Sequence, residues 1–271
     1  MPLVPTTDIL AARRGCGALN AIGAEHVTAI IEGAEAADSP VILQLSQNAV
    51  RYHGALAPIG SAALAAARAA KVDVAVHLDH AESPELVREA VALGFSSVMF
   101  DASKLDYAEN VAATREIAEL CQVNGVWVEA ELGEVGGKDG VHAPGARTDP
   151  GEAVEFVAAT GVDALAVAVG TSHAMLTRDA ALDFELIAAL HAVVPVPLVL
   201  HGSSGVADGD LVEAVRAGMA KINIATQLNK EFTAGVRAFL DENPAAVDPR
   251  KYLGAGRDRL RAEVTRLLGL F

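Results

Sequence analysis

Eight short, almost wholly apolar runs recur along the 271 residues, separated by longer stretches with helical spacing, and no other feature restricts the fold as severely. The runs are Cys16–Leu19, Val41–Leu45, Val72–Leu78, Ser97–Phe100, Val126–Leu132, Ala164–Val169, Pro197–Leu200 and Lys221–Ile224. Continuous apolar strands, as opposed to alternating ones, belong to a parallel sheet covered by helices. Amphipathic segments such as Glu25–Ala37, Glu85–Leu93, Ala108–Cys121, Pro150–Thr160, Phe184–Val193 and Asp208–Ala217 supply that cover. Eight β-then-α units predict one α/β domain over residues 1–271: a (β/α)8 TIM barrel with a C-terminal helical extension from Lys230. Asp8–Arg14 reads as a short helix closing the bottom of the barrel. No linker, low-complexity tract or second domain interrupts the pattern.

Polar residues fall at one end of these runs. Asn20, Ser46, Asp79 with His80, Asp101, Glu131, His173, His201 and Asn223 each stand at or just past the C-terminal end of a strand, the end where barrels build active sites. A lone buried histidine is usually a hydrogen-bonded core residue, and His77 is read that way. His80, His173 and His201 differ because they occupy equivalent positions, in His77-Leu78-Asp79-His80, Gly170-Thr171-Ser172-His173 and Leu200-His201. Three neutral imidazoles with an open face suit a catalytic divalent metal, Zn²⁺ above Co²⁺ or Fe²⁺. Asp79 precedes His80, so strand alternation would send the two side chains to opposite faces. Both reach the site only if the chain leaves regular strand geometry there. Asp79 is read as a proton carrier, the alternative being a partner that orients a metal-bound histidine. Asp101 and Glu131 are either further metal ligands or groups that orient one.

Gly202-Ser203-Ser204-Gly205 leads from a strand into a helix, and Asn223-Ile224-Ala225-Thr226 follows the last strand. Small residues there let backbone N–H groups approach an anion, and barrels commonly bind phosphate after strands seven and eight. The Gly-rich segment Gly133–Pro150 is a candidate lid, with Glu134 and Asp139 as acids it would deliver. A net charge of −14 argues against nucleic acid but not against a small phosphorylated ligand. Cys16 and Cys121 form no disulfide framework, and neither a leader nor an apolar run of about 18 residues is visible, so a soluble cytoplasmic protein without membrane contact is expected.

Together these strings resemble the class II, metal-dependent ketose-bisphosphate aldolases. The likeness runs from Asp8 to the C-terminus and is most specific at His77–His80, Val98–Ser103, Val128–Gly133, Gly170–His173 and His201–Gly205. Ala225, within Lys221–Leu228, is closer to the tagatose-bisphosphate branch than to the fructose-bisphosphate branch, which typically has Asp there. The resemblance implies that His80, His173 and His201 bind Zn²⁺, that Asp79 is the proton donor and acceptor, and that Asp101 and Glu131 contact a second or displaced metal. It further implies that Ala174, Gly202, Ser203, Ser204, Asn223, Ile224, Ala225 and Thr226 hold dihydroxyacetone phosphate, with Asn20 and Ser46 beside it. A monovalent cation, Na⁺ or K⁺, near the phosphate and a homodimer or homotetramer also follow from the family.

Three departures stand out. Ala174 replaces a usual Gly, Lys138-Asp139 replaces a pair of acids, and Gly254 stands after Asp248–Leu253 where many relatives carry an Arg for the distal phosphate. The last suggests an aldehyde half other than glyceraldehyde 3-phosphate, for example that of another phosphorylated keto sugar such as a 5-dehydro-2-deoxygluconate phosphate. Three rivals are weighed. A Schiff-base aldolase needs a buried Lys in the site, whereas Lys71 and Lys221 begin strands at the far end and Lys104 and Lys138 lie in loops. A barrel metallohydrolase lacks its His-x-His pair on the first strand. A non-catalytic phosphosugar-binding barrel has no use for three histidines and Asp79.

Overall fold

The computed structural model describes residues 2–132, 147–171 and 177–271. Its centre is a closed barrel of parallel strands in sequence order: β1 (Cys16–Asn20), β2 (Val41–Ser46), β3 (Val74–Ala81), β4 (Ser97–Phe100), β5 (Trp127–Glu131), β6 (Ala164–Ala166), β7 (Leu198–Leu200) and β8 (Met219–Ile224). β8 returns to pair with β1, so the expected TIM barrel is the fold. β3 starts two residues later than its apolar run and extends through His80 to Ala81.

Strand alternation sorts the side chains. Leu43, Leu45, Val76, Leu78, Val98, Phe100, Val128 and Ala130 face outward and join the large core beneath the helices. Their neighbours face inward, where Cys16, Ala18, Ile42 and Ala75 form one small apolar cluster and Met99, Trp127, Ala164, Ala166 and Val199 another. The first helix, α1 (Thr6–Ala12), lies two residues earlier than expected and plugs this floor with Ile9 and Leu10. Higher in the barrel the inward positions become polar: Gln44, His77, Glu129 and Lys221 are all fully buried.

The covering layer follows in order as α2 (Ala24–Ala36), α3 (Gln47–His53), α4 (Leu56–Ala69), α5 (Pro84–Leu93), α6 (Tyr107–Gln122), α7 (Pro150–Thr160), α8 (Phe184–Val193) and α9 (Asp208–Ala217). Their ends obey local chemistry. Ser83, Asp149 and Asp183 each accept a hydrogen bond from a first-turn N–H, and prolines open α5 and α7.

The C-terminal part differs from expectation. α10 (Thr226–Glu242) begins directly after β8, four residues before Lys230. α11 (Pro249–Leu268) then packs between α10 and α2 and reaches β1, so it covers the seam where the barrel closes. Close approach requires small residues: a Cβ on Gly17 would meet Leu268 at 2.7 Å, and one on Gly235 would meet the Ala255 carbonyl at 2.6 Å. Leu260, Val264, Leu267 and Leu268 are buried by this packing. Among the described residues no helix is long and apolar enough to cross a membrane. Leu260→Ala is expected to cost about 2–5 kcal/mol, read as a lowered urea midpoint at unchanged m.

Candidate active site

Asp79 and His80 share one mouth of the barrel because β3 breaks its own rule. The pairing of β3 with β4 shifts register between Leu78 and Ala81, and His80 takes a left-handed backbone with φ of 49°. That conformation costs a non-glycine residue about 1–2 kcal/mol. In return, two consecutive residues line the same pocket, together with Asn20, Ser46, His201 and Asn223.

The histidine nitrogens are ordered by carboxylates. His80 Nδ1 lies 2.9 Å from Asp101 Oδ2, and His201 Nε2 lies 2.8 Å from Glu129 Oε1. A carboxylate only accepts, which favours a proton on each of these nitrogens, and Asn223 Nδ2 also approaches His201 Nε2, at 3.1 Å. The opposite nitrogens, His80 Nε2 and His201 Nδ1, face each other at 2.9 Å. With both rings neutral, two lone pairs converge, an arrangement that calls for a cation. Burial opposes charge on His80, but Asp79, the Asp101 hydrogen bond and Glu131 outweigh it and push its pKa up to about 10. Either a proton on His80 or a metal ion held by both rings answers the same electrostatic demand. Asp79, His80 and His201 offer ligand atoms close enough for one ion, as do His80, Asp101 and Glu131, so the donor set fits a divalent metal.

The carboxylates have distinct surroundings. Burial works against ionisation of Asp79, yet the charges of His80, His201 and Lys221 and the Asn20 hydrogen bond hold its pKa below the usual carboxylate value. Its Oδ2 accepts from Asn20 Nδ2 at 2.7 Å, and Asn20 is fixed in turn by Gln44 at 2.9 Å. Its Oδ1 is buried without a hydrogen-bond partner among the described residues, available to an incoming hydroxyl. Asp101 is also held well below the ordinary range: burial is overcome by His80 and by the Ser103 hydroxyl and N–H. Its Oδ2 thus orients His80, while Oδ1 is taken by Ser103.

Beside this cluster, Gly202 adopts φ of 67°, a turn that favours glycine, and leads into a 3₁₀ turn at Ser203–Gly205. Ser204 Oγ accepts from the N–H groups of Ala225 and Gln227, tying this turn to the start of α10. Gly202, Ser204, Asn223, Ala225 and Thr226 line the pocket. Ser203 and Ile224 do not: the Ser203 hydroxyl donates to the Leu200 carbonyl, and Ile224 faces the outer core. Glu134, Asp139, His173 and Ala174 lie outside the described residues. Gly254 is in α11 and is not among the residues that line this pocket.

Several residues of the site are not apparent from strand-end reading. Asn48 lines the pocket from α3. Lys221 is a correction: it is the third residue of β8, and its Nζ reaches Glu129 Oε2 and Asn223 Oδ1, both at 2.8 Å, inside the barrel. A long stem carries its charge upward from the position where the sequence places it. Parity would have found both partners, since Glu129 shares a face with Glu131 and Lys221 with Asn223. His77 is the hydrogen-bonded core residue expected, 2.8 Å from Ser97 Oγ.

A family model for class II fructose-bisphosphate aldolase matches residues 7–271. The chain belongs to that family. It is 40% identical to the fructose-bisphosphate aldolase of Thermus caldophilus, over 95% of this chain and 92% of that protein. It is 40% identical to a probable fructose-bisphosphate aldolase of Bacillus subtilis, over 97% and 95%. Among solved structures, the YdjI aldolase of Escherichia coli K12 superposes with a TM-score of 0.84 at 32% identity, covering 98% of this chain and 94% of that one. This protein is therefore an aldolase, a lyase of a metal-dependent family. Because burial is outweighed by Asp79, Asp101 and Glu131, which push the His80 pKa up to about 10 in the absence of an ion, divalent metal uptake at pH 7 is expected to release protons. Calorimetry in buffers of differing ionisation enthalpy measures this, and buffer-independent heats would contradict it.

Proposed function

We propose that this aldolase reversibly cleaves a ketose (bis)phosphate of the tagatose- or fructose-1,6-bisphosphate type, giving dihydroxyacetone phosphate and an aldehyde. The observation that carries the reading is the convergence of Asp79, His80 and His201 beside the cradle at Gly202–Ser204 and Asn223–Thr226. His80, His201 and His173 would hold Zn²⁺, with Glu131 within reach and Asp101 steering His80. When bound, the ion supplies a Lewis acid for the oxygens on which negative charge develops. Asp79 takes the proton of the C4 hydroxyl as the C3–C4 bond breaks, its lowered pKa keeping it ionised for the task. A loop acid, Glu134 or Asp139, returns a proton to the new carbanion carbon.

Asn223 has its Oδ1 engaged by Lys221, and its Nδ2 lies 3.1 Å from His201 Nε2. Its second amide N–H, the N–H groups around Gly202 and the Asn223–Thr226 turn would bind the phosphate, with Ala174 and a monovalent cation nearby. Asn20 and Ser46 face the substrate from the opposite side. A homodimer or homotetramer working in the cytoplasm is part of this reading. Gly254 in place of a distal Arg removes a bidentate anion clamp and points to an altered aldehyde half. Equal cleavage of fructose and tagatose bisphosphates at ordinary KM would argue against that last point.

Proton NMR of dihydroxyacetone phosphate in D₂O tests the donor half-reaction without requiring the aldehyde. Stereospecific loss of one hydroxymethyl proton is expected, abolished by chelation and restored by Zn²⁺; no exchange in metal-loaded protein would displace the reading. Asp79→Ala should retain metal and this exchange while its carbon–carbon cleavage rate drops about 10²–10⁴-fold.

A further inference from the structure

Beneath the metal-binding histidines the barrel buries a complete ion pair. Lys221 Nζ and Glu129 Oε2 are 2.8 Å apart, and both side chains are wholly inaccessible to solvent. Such a pair contributes little to stability, since well-packed apolar residues often do as well or better. Its second contacts suggest another purpose. Glu129 Oε1 receives His201 Nε2 at 2.8 Å, and Lys221 also donates to Asn223 Oδ1 at 2.8 Å. Below them, Thr6 donates to Ser97, Ser97 Oγ lies 2.8 Å from His77 Nδ1, and His77 Nε2 stands 3.9 Å from Glu129 Oε2, beyond hydrogen-bond reach.

We propose that Glu129 and Lys221 are positioning residues that fix the tautomer of His201, so that Nδ1 and not Nε2 is presented to the metal. The inference rests on the metal centre proposed above. Glu129 Oε1, the nearer neighbour of Nε2 at 2.8 Å, is an acceptor and favours the Nε2–H form over the one in which Asn223 Nδ2, 3.1 Å away, donates to that nitrogen. Lys221 Nζ, 2.8 Å from the other Glu129 oxygen, supplies the counter-charge that holds this carboxylate in place beneath His201. The same ammonium orients the Asn223 amide, so one buried cation aligns a metal ligand and a substrate-binding residue. Neither Glu129 nor Lys221 touches the reacting atoms in this scheme; both act through their neighbours.

The double variant Glu129→Gln/Lys221→Met removes both charges at nearly constant volume and avoids stranding either one. Co²⁺ affinity of the metal-free protein, followed through the visible absorption of the bound ion, is expected to fall about 10–100-fold with the band shape altered, while circular dichroism stays that of a folded barrel. A shift in Tm with Co²⁺ affinity and spectrum unchanged would show a purely structural role and overturn the proposal. A measurement on the unaltered chain guards against a variant that fails to fold. In histidine-¹⁵N-labelled, Zn²⁺-loaded protein, His201 is expected to show a ligated Nδ1 and a protonated Nε2. Ligation through Nε2 would overturn the inference. Failure of the unaltered chain to bind Co²⁺ or Zn²⁺ at all would instead remove the metal centre, and this inference with it.

Discussion

In a closed ring of parallel strands every residue must face either the helices or a narrow interior that the strands themselves enclose. The outer face here is apolar because, among the described residues, the strands share one core with the helices from α2 to α11. The interior is graded. Apolar side chains from β1 to β3 and from β4 to β7 fill the floor, sealed by Ile9 and Leu10, while polar groups take over toward the C-terminal ends. Those polar groups are buried by the ring, and the hydrogen bonds they make run largely to one another. Gln44, Asn20 and Asp79 form one chain, and Lys221, Glu129 and His201 another. The chemistry at the mouth is held from inside the barrel as much as from its loops.

Electrostatics gives the mouth its character. The chain carries a net charge of −14, and Asp79, Asp101, Glu129 and Glu131 lie close together at or below the pocket. Such a cluster folds only if positive charge is supplied. Lys221 answers part of the demand from beneath, and His80 answers more when no ion is present. A metal-dependent family is consistent with this imbalance, because a divalent ion is the densest charge a small site can hold.

Much of this was legible in the sequence. The strand runs, their order and the convergence of Asp79, His80, His201 and Asn223 follow from apolar patterning and barrel topology, which act locally and repeat eight times. The departure from strand geometry at Asp79-His80 was also foreseeable, since no regular strand presents both. Less visible were features set by reach. Lys221 sits low on its strand but extends its ammonium upward, and Ser203, within the cradle motif, turns its hydroxyl away. The start of α10 was masked because Thr226 serves both as a pocket residue and as a helix residue. The role of α11 depends on contacts between segments more than two hundred positions apart, which no local pattern encodes.

That distance carries a consequence for how the barrel comes into being. β1 pairs with β8, and Gly17 packs against Leu268, so these partners meet only after the more than two hundred residues between them have been made. Until then β1 and β8 are open sheet edges, and the groove awaiting α11 is exposed hydrocarbon. Ring closure should thus come late, with high contact order slowing it. During synthesis the nascent chain would have to pass through an unclosed state whose unpaired edges invite association with other chains.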